Sequence, residues 1–213
     1  MQKTRTAKQK IAESLLKIKA VKLSPQAPFT WASGWKSPIY CDNRQTLSFP
    51  DARRLIRDEF VRNIREKFGN TEVIAGVATG GIAHGALVAE ALDLPFIYVR
   101  SSSKGHGLQN KVEGYLEKGQ KVMVIEDLVS TGKSSLDAVE ALRAAEADIV
   151  GMAAIFTYGF EVAKENFAKV NCELITLSNY TALIKEAIAL NYVDEKSLRS
   201  LNEWRNDPQN WKA

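Results

Sequence analysis

Val122-Met-Val-Ile-Glu-Asp-Leu-Val-Ser-Thr-Gly-Lys-Ser-Ser135 is the stretch that decides the fold. A run of β-branched and apolar residues closes on two adjacent carboxylates, then breaks into small hydroxylated residues and a glycine. Leu136, Val139 and Leu142 follow three apart. The pattern predicts a buried strand, a tight loop and the start of a helix. Such a loop can aim backbone N–H groups and the hydroxyls of Ser130, Thr131, Ser134 and Ser135 at a phosphate, helped by the helix dipole. Glu126 and Asp127 are expected at the strand's end, where an open α/β sheet places its ligand. An anion cradle beside a carboxylate pair suits a sugar phosphate, with the carboxylates accepting hydrogen bonds from ribose hydroxyls.

Two other uses of this loop fit less well. Gly132-Lys133-Ser134 looks like the tail of a nucleotide-triphosphate P-loop, but that pattern needs a glycine where the chain has Asp127. No G-x-G-x-x-G follows a predicted strand. An ordinary ligand-free turn would leave two consecutive carboxylates closing a buried strand, and uncompensated charge there is costly.

Outward from this unit, strands are predicted over 73–77, 96–100, 121–126, 149–156 and 173–177. They alternate with helices over 82–92, 133–145, 161–169 and 180–190. The strands are mostly continuous apolar runs, which points to a parallel sheet covered on both faces. Upstream, Pro50 and Asp51 open a helix whose apolar face is Ile56, Phe60, Ile64 and Phe68. Ile11, Leu15 and Ile18 mark an N-terminal helix, and a proline- and aromatic-rich passage joins the two. One α/β domain over 1–213 is expected. Its N-terminal helix and hood reach about residue 50, its core covers about 51–190, and a helical tail covers about 191–213. The tail carries Trp204 and Trp211, which have either the core or a second subunit to pack on.

Bulk properties narrow the function. With 45% hydrophobic and 25% charged residues, the 213-residue chain reads as a soluble globular protein able to bury a substantial core. Cys41 and Cys172 are far apart without metal-ligand spacing, so a reducing, cytoplasmic setting is expected and no disulfide framework. The apolar runs are too short to cross a bilayer, so no membrane partner is expected. Lys3, Arg5, Lys8 and Lys10 precede the first acid, Glu13, but helical spacing of the apolar residues favours a surface helix over a targeting segment. A net charge of +4 without a long Lys/Arg run points to a polyanionic small molecule rather than nucleic acid.

Three more segments could complete a site. In Gly76-Val-Ala-Thr-Gly-Gly-Ile-Ala-His-Gly85, Gly80 and Gly81 let backbone N–H groups approach a ligand closely, while His84 reads as a structural helix residue. Residues 100–111 hold Arg100, Lys104, His106 and Lys111 without an acid until Glu113, and begin at the ligand edge of the sheet. A cationic lid of this kind can close over a diphosphate. The third segment is Phe29-Thr-Trp-Ala-Ser-Gly-Trp-Lys-Ser-Pro-Ile-Tyr-Cys-Asp-Asn-Arg44, in which Trp31 and Trp35 read most simply as buried aromatics.

The opening stretch closely resembles the phosphoribosyl-diphosphate signature of the type I phosphoribosyltransferases, an apolar run followed by Glu-Asp-x-x-Ser/Thr-Thr-Gly-x-Ser. The resemblance implies an α/β fold with a mostly parallel central sheet flanked by helices and a small N-terminal hood. It implies that Glu126 and Asp127 contact ribose and that Leu128, Val129, Ser130, Thr131, Gly132, Lys133 and Ser134 hold the 5′-phosphate. Thr79, Gly80 and Gly81 take the place of the diphosphate loop. The cationic loop and Ser33-Gly34-x-Lys36-Ser37-Pro38 resemble the orotate branch of the family. There, Arg100, Lys104 and His106 would contact diphosphate, with Lys104, His106 and Asp127 as the catalytic groups. Ser33, Lys36 and Tyr40 would recognise the planar base, with Arg44 and Ser130 as candidates for its carboxylate. The family also implies a homodimer whose lid reaches the neighbouring subunit's site.

The implied reaction is orotate plus phosphoribosyl diphosphate going to orotidine 5′-phosphate and diphosphate, a step of UMP synthesis. Mg²⁺ would be held mainly by substrate oxygens and water, without direct protein side-chain ligands. The chain departs from some members at Ala32, Gly80 and Ser101, where they carry lysines, and at Tyr158, near an arginine that holds the orotate carboxylate. These departures resemble a subgroup with the Phe156-Thr-Tyr-Gly159 stretch. A purine-type phosphoribosyltransferase is the alternative that the hood motif disfavours. A non-catalytic regulator sensing phosphoribosyl diphosphate and binding nucleic acid is a second, disfavoured by the lid and by the lack of a helix-turn-helix extension.

Overall fold

The computed structural model describes residues 5–31, 33–101 and 111–212. Helix α1 (Ala7–Lys17) starts at Thr6, whose hydroxyl accepts from the Gln9 N–H in a capping box. Four short strands follow, β1 (Val21–Leu23), β2 (Phe29–Thr30), β3 (Lys36–Ser37) and β4 (Ile39–Cys41). They make two antiparallel ladders, β1 with β4 and β2 with β3, and together form the expected hood. A 3₁₀ segment, Asn43–Ser48, then leads into α2 (Pro50–Lys67), which has proline in its first turn.

The chain next runs through β5 (Val73–Val77), α3 (Gly80–Leu92), β6 (Phe96–Val99), β7 (Val112–Glu113) and β8 (Lys121–Val129). It continues through α4 (Lys133–Ala144), β9 (Asp148–Thr157), α5 (Glu161–Lys169), β10 (Leu174–Asn179), α6 (Tyr180–Ala189) and α7 (Leu198–Asn206). Six of these strands form one sheet in the order β10-β9-β8-β5-β6-β7. All neighbours are parallel except the edge pair of β6 and β7.

Every residue of β5 is buried, as its continuous apolar run requires. Strand alternation divides these residues between two cores. Val73, Ala75 and Val77 face Leu136, Val139 and Leu142 of α4, with Phe167 of α5. Ile74 and Ile125 face a larger core with Ile11, Leu15, Phe60 and Val88, drawn from α1, α2 and α3.

The structure corrects several expected boundaries. Strand β8 runs three residues past Glu126, because β9 goes on pairing through Leu128↔Phe156 and Val129↔Thr157. Pairing with β5 stops at Gly76↔Ile125, so the two acids sit where the strand is open on one side only. Helix α3 begins at Gly80, two residues earlier than its apolar pattern. The hood strands and β7 escaped the sequence pattern because two or three residues cannot establish a period. The tail packs on the core of its own chain: Trp204 of α7 is fully buried and Trp211 lies against the same cluster. Among the described residues no helix is long and apolar enough to cross a membrane.

Candidate active site

Strand β5 leads through α3 to β6 on one side, and β8 leads through α4 to β9 on the other. The loops after β5 and β8 therefore diverge, and an open sheet forms its ligand crevice at such a switch point. A cavity of about 630 Å³ lies there. Its walls are the β5–α3 loop, the β8–α4 loop, Asp127, and Asp42 and Arg44 from the hood side.

The β8–α4 loop presents a bare helix start. Gly132 occupies the cap position at φ 83°, and no side chain caps the first turn of α4. Unpaired N–H groups at a helix start favour an anion. Glycine is required there: besides the positive φ, a Cβ would lie 2.8 Å from the Phe167 ring. The Asn166 amide donates to the Thr131 carbonyl at 3.1 Å, which fixes the loop from behind. Ser130, Thr131, Gly132, Lys133 and Ser134 all line the cavity.

Helix α3 approaches β8 closely. A Cβ on Gly80 would collide with the Asp127 carboxyl, and one on Gly81 would collide with the Ile125 carbonyl. The Ala78–Thr79 peptide is cis. Thr79 and Gly80 line the cavity across from Ser130 to Ser134, while Gly81 serves the packing beneath.

The two acids are not equivalent. Glu126 is buried; its Oε1 accepts from the Asp127 N–H at 2.9 Å and its Oε2 from the Ser135 hydroxyl at 3.0 Å. Burial and the neighbouring Asp127 charge push the Glu126 carboxyl well above its usual range. Burial also raises Asp127, opposed by a hydrogen bond from Glu126. Burial therefore disfavours charge on both carboxyls, and more strongly on Glu126, where the neighbouring Asp127 charge adds to the effect.

A buried network reaches Asp127 from the hood. The Asn43 amide nitrogen donates to the Asp127 carbonyl at 2.6 Å, and its amide oxygen accepts from the Cys41 thiol at 3.3 Å. Burial, then the Asp127 and Asp42 charges, raise that thiol and keep it protonated. Thr46 donates to the Asn43 carbonyl at 2.5 Å, so its hydroxyl oxygen accepts from His84 Nε2 at 3.1 Å. His84 Nδ1 then has no partner. Burial, with the Arg53 charge, pushes His84 down to about 4 and holds it neutral.

A second cavity, about 260 Å³, adjoins the first through Cys41, Leu128 and Ser130. Its remaining lining is Thr30, Trp31, Tyr40 and Tyr158. The Trp31 and Tyr158 rings lie 5.0 Å apart, and Phe160 stacks on Tyr158 at 5.5 Å. Aromatic walls of this kind suit a flat, conjugated ligand.

The residues singled out from sequence fall into three groups. Asp127, Glu126, Leu128, Ser130 to Ser134, Thr79, Gly80 and Arg44 line the larger cavity, and Tyr40 and Ser130 the smaller. Others stand back from both. Val129 is buried in the sheet, Lys36 donates to the Thr30 hydroxyl at 2.8 Å, and Ser33 accepts from the Trp35 N–H at 3.4 Å. Arg100 pairs with Glu113 at 3.4 Å, and Arg44 is forked onto Asp42 at 2.7 and 3.1 Å. Lys104 and His106 lie outside the described residues. Sequence reasoning missed Cys41, Asn43 and the part of Trp31 in the smaller cavity. Trp31 and Asn43 both sat inside the stretch 29–44 singled out above, but nothing in it marks the long-range contact of Asn43 with Asp127.

A fold wound about a β5/β8 switch point, with a bare helix start beside a carboxylate, defines a class of sugar-phosphate-binding proteins. The phosphoribosyl transferase domain family matches residues 48–189. The chain belongs to the phosphoribosyltransferase family. Orotate phosphoribosyltransferase from Cytophaga hutchinsonii is 58% identical over 202 residues, covering 95% of this chain and 97% of that protein. Its counterpart from Bacteroides thetaiotaomicron is 56% identical over 202 residues and 95% of each chain. The crystal structure of orotate phosphoribosyltransferase from Aeropyrum pernix matches with a TM-score of 0.75 at 28% identity, over 86% of this chain and 99% of that one.

Proposed function

We propose that this chain is an orotate phosphoribosyltransferase of pyrimidine biosynthesis, moving the phosphoribosyl group from phosphoribosyl diphosphate to orotate. The observation that carries this reading is the meeting of the two cavities at Leu128 and Ser130. A phosphate cradle and Asp127 share the larger cavity and an aromatic slot adjoins it, which suits ribose phosphate in the first and a planar base in the second. The high identity to proteins of that name supports the same reading.

Orotate is already an anion at neutral pH, so the chemistry needs no strong general base. The barrier lies in breaking the anomeric C–O bond, where positive charge grows on the ribose ring. Asp127, the less buried and less strongly raised of the two acids, lines the cavity and favours that ring in the transition state. The bare start of α4 holds the 5′-phosphate and fixes the ribose against Asp127. Glu126, bonded to Ser135 and to the Asp127 N–H, orients its neighbour from beneath the cavity. The N–H groups of Thr79 and Gly80 take the diphosphate; for Arg100, paired with Glu113 and outside the cavity lining, a diphosphate contact rests on the family resemblance. Roles for Lys104 and His106 on the leaving diphosphate, across a homodimer, rest on the family resemblance alone.

Among the described residues no three of His, Cys, Asp and Glu gather as a metal cage. Glu126 is bonded inward and Asp42 is taken by Arg44, which leaves Asp127 and Asp137 facing the cavity. This donor set fits Mg²⁺ carried by diphosphate and ribose oxygens and by water, with Asp127 available to its hydration shell. When bound, Mg²⁺ neutralises charge on the departing diphosphate. The two free thiols, Cys41 and Cys172, support a cytoplasmic setting.

The test is orotate consumption followed by ultraviolet absorbance, with adenine and xanthine assayed in parallel. Loss of orotate alone, dependent on phosphoribosyl diphosphate and Mg²⁺, is expected. Turnover of a purine instead, or saturable phosphoribosyl-diphosphate binding with no turnover, would contradict the assignment.

A further inference from the structure

We propose that Trp204, in the tail helix α7, is a positioning residue that sets the aromatic walls of the base slot. The inference rests on the reading of the smaller cavity as the orotate site. Trp204 is fully buried and lines neither cavity, yet it touches both walls of the slot. Its ring edge meets Trp31 at 5.6 Å and Tyr158 at 5.7 Å, both near perpendicular. Phe160, stacked behind Tyr158, lies 5.5 Å away.

The indole N–H supplies the second half of the argument. It donates to the Lys36 carbonyl at 3.1 Å, across 168 positions of sequence, and so ties the β2–β3 hairpin to the tail. That hairpin carries Thr30 at the rim of the slot and leads directly into Trp31, whose own N–H donates to the Ile39 carbonyl at 3.1 Å. Helix α7 is a firm base for this brace. The Tyr180 hydroxyl donates to the Leu201 carbonyl at 3.0 Å, and Arg205 donates to the Thr181 hydroxyl at 2.9 Å. One side chain thus joins a hood hairpin and the loop after β9, and backs the direct contact that Trp31 and Tyr158 make between these segments. The brace lies outside residues 48–189, so the slot's geometry depends on chain beyond the matched family domain.

Trp204→Phe keeps an aromatic ring and removes the N–H, which separates bracing from packing. Loss of one hydrogen bond to the hairpin is expected to raise the orotate KM about tenfold. The kcat at saturating orotate and the KM for phosphoribosyl diphosphate should hold within about twofold, since the phosphate cradle does not touch this brace. A purely structural role would lower active enzyme and kcat without selecting one substrate, and that result would overturn the proposal. Trp31→Ala is the companion variant. If it raises the orotate KM and Trp204→Phe does not, the slot stands and the brace falls. If Trp31→Ala leaves the orotate KM unchanged, the slot reading itself falls and takes the brace with it.

Amide exchange on the unaltered chain tests the same point if Trp204→Phe does not fold. Orotidine 5′-phosphate should slow exchange across residues 198–206 relative to ribose 5-phosphate, although those residues do not line the slot. Equal exchange with the two ligands would overturn the proposal.

Discussion

The phosphate end of the cleft is built from one run of chain, while the base end is assembled from segments scattered from the hood to the tail. Ser130 to Ser134 sit on a single strand-loop-helix, with Gly132 fixing the turn and Asn166 holding it from behind. The base slot takes Trp31 and Tyr40 from the hood, Leu128 from β8 and Tyr158 from the loop after β9. The first end owes its geometry chiefly to a turn and helix start written in the local sequence, with Asn166 and Phe167 of α5 supporting it from behind. The second owes its geometry to side chains packed across long distances, so residues outside the ligand's reach can retune it. Anion binding is thereby insulated from the periphery, and base recognition is exposed to it.

Asp127 stands at the junction, and changing it should break the comparison most severely. Asp127→Asn removes the charge that faces the ribose and is expected to lower kcat about 10²–10³-fold with little change in orotate KM. Glu126→Gln, which keeps an acceptor for Ser135 and leaves the Asp127 carboxyl in place, should cost less. Steady-state kinetics on the two variants would measure the difference; equal losses would contradict the unequal roles of the two acids.

The next effect is on stability. His84 is held neutral at the seam between hood and α3, with its pKa depressed from 6.5 to about 4. A depressed pKa means that the contribution is present above the unfolded value and is lost as pH falls through the folded one. Acidification from pH 7 should therefore cost up to about 3 kcal/mol at this residue. Urea unfolding of the wild type and His84→Gln across that window should show the slope in the first and a shallower one in the second. Parallel slopes would remove His84 from the account.

Asn43→Ala should give the smallest effect and the sharpest view of the seam. It leaves the Asp127 carbonyl and the Cys41 thiol without their partner, a loss of about 1–3 kcal/mol. Because Cys41 lines both cavities, the KM values for both substrates should rise together. A rise in only one would mean that Asn43 serves only one half of the cleft.

The same contrast governs what the sequence discloses. The β8–α4 unit was legible because strand burial, turn and helix start are all written within one short run. The parallel order of the sheet followed from continuous apolar strands, although β8 ran past Glu126 because its partner β9 did. The base slot was hardly legible. Trp31 reads as a buried aromatic until Tyr158 is seen 5.0 Å away. Asn43 lies 84 positions from Asp127 and nothing local marks it. Trp204 in the tail fits a core or a subunit contact equally well until its N–H is seen on Lys36.

The most direct test of a cleft with these two halves is a crystal structure with orotidine 5′-phosphate bound. The phosphate is predicted within hydrogen-bond distance of the backbone at 130–134, with ribose against Asp127 and the pyrimidine in the smaller cavity against the Trp31 and Tyr158 rings. A phosphate bound away from the start of α4, or a base lying outside the Trp31–Tyr158 slot, would contradict the account.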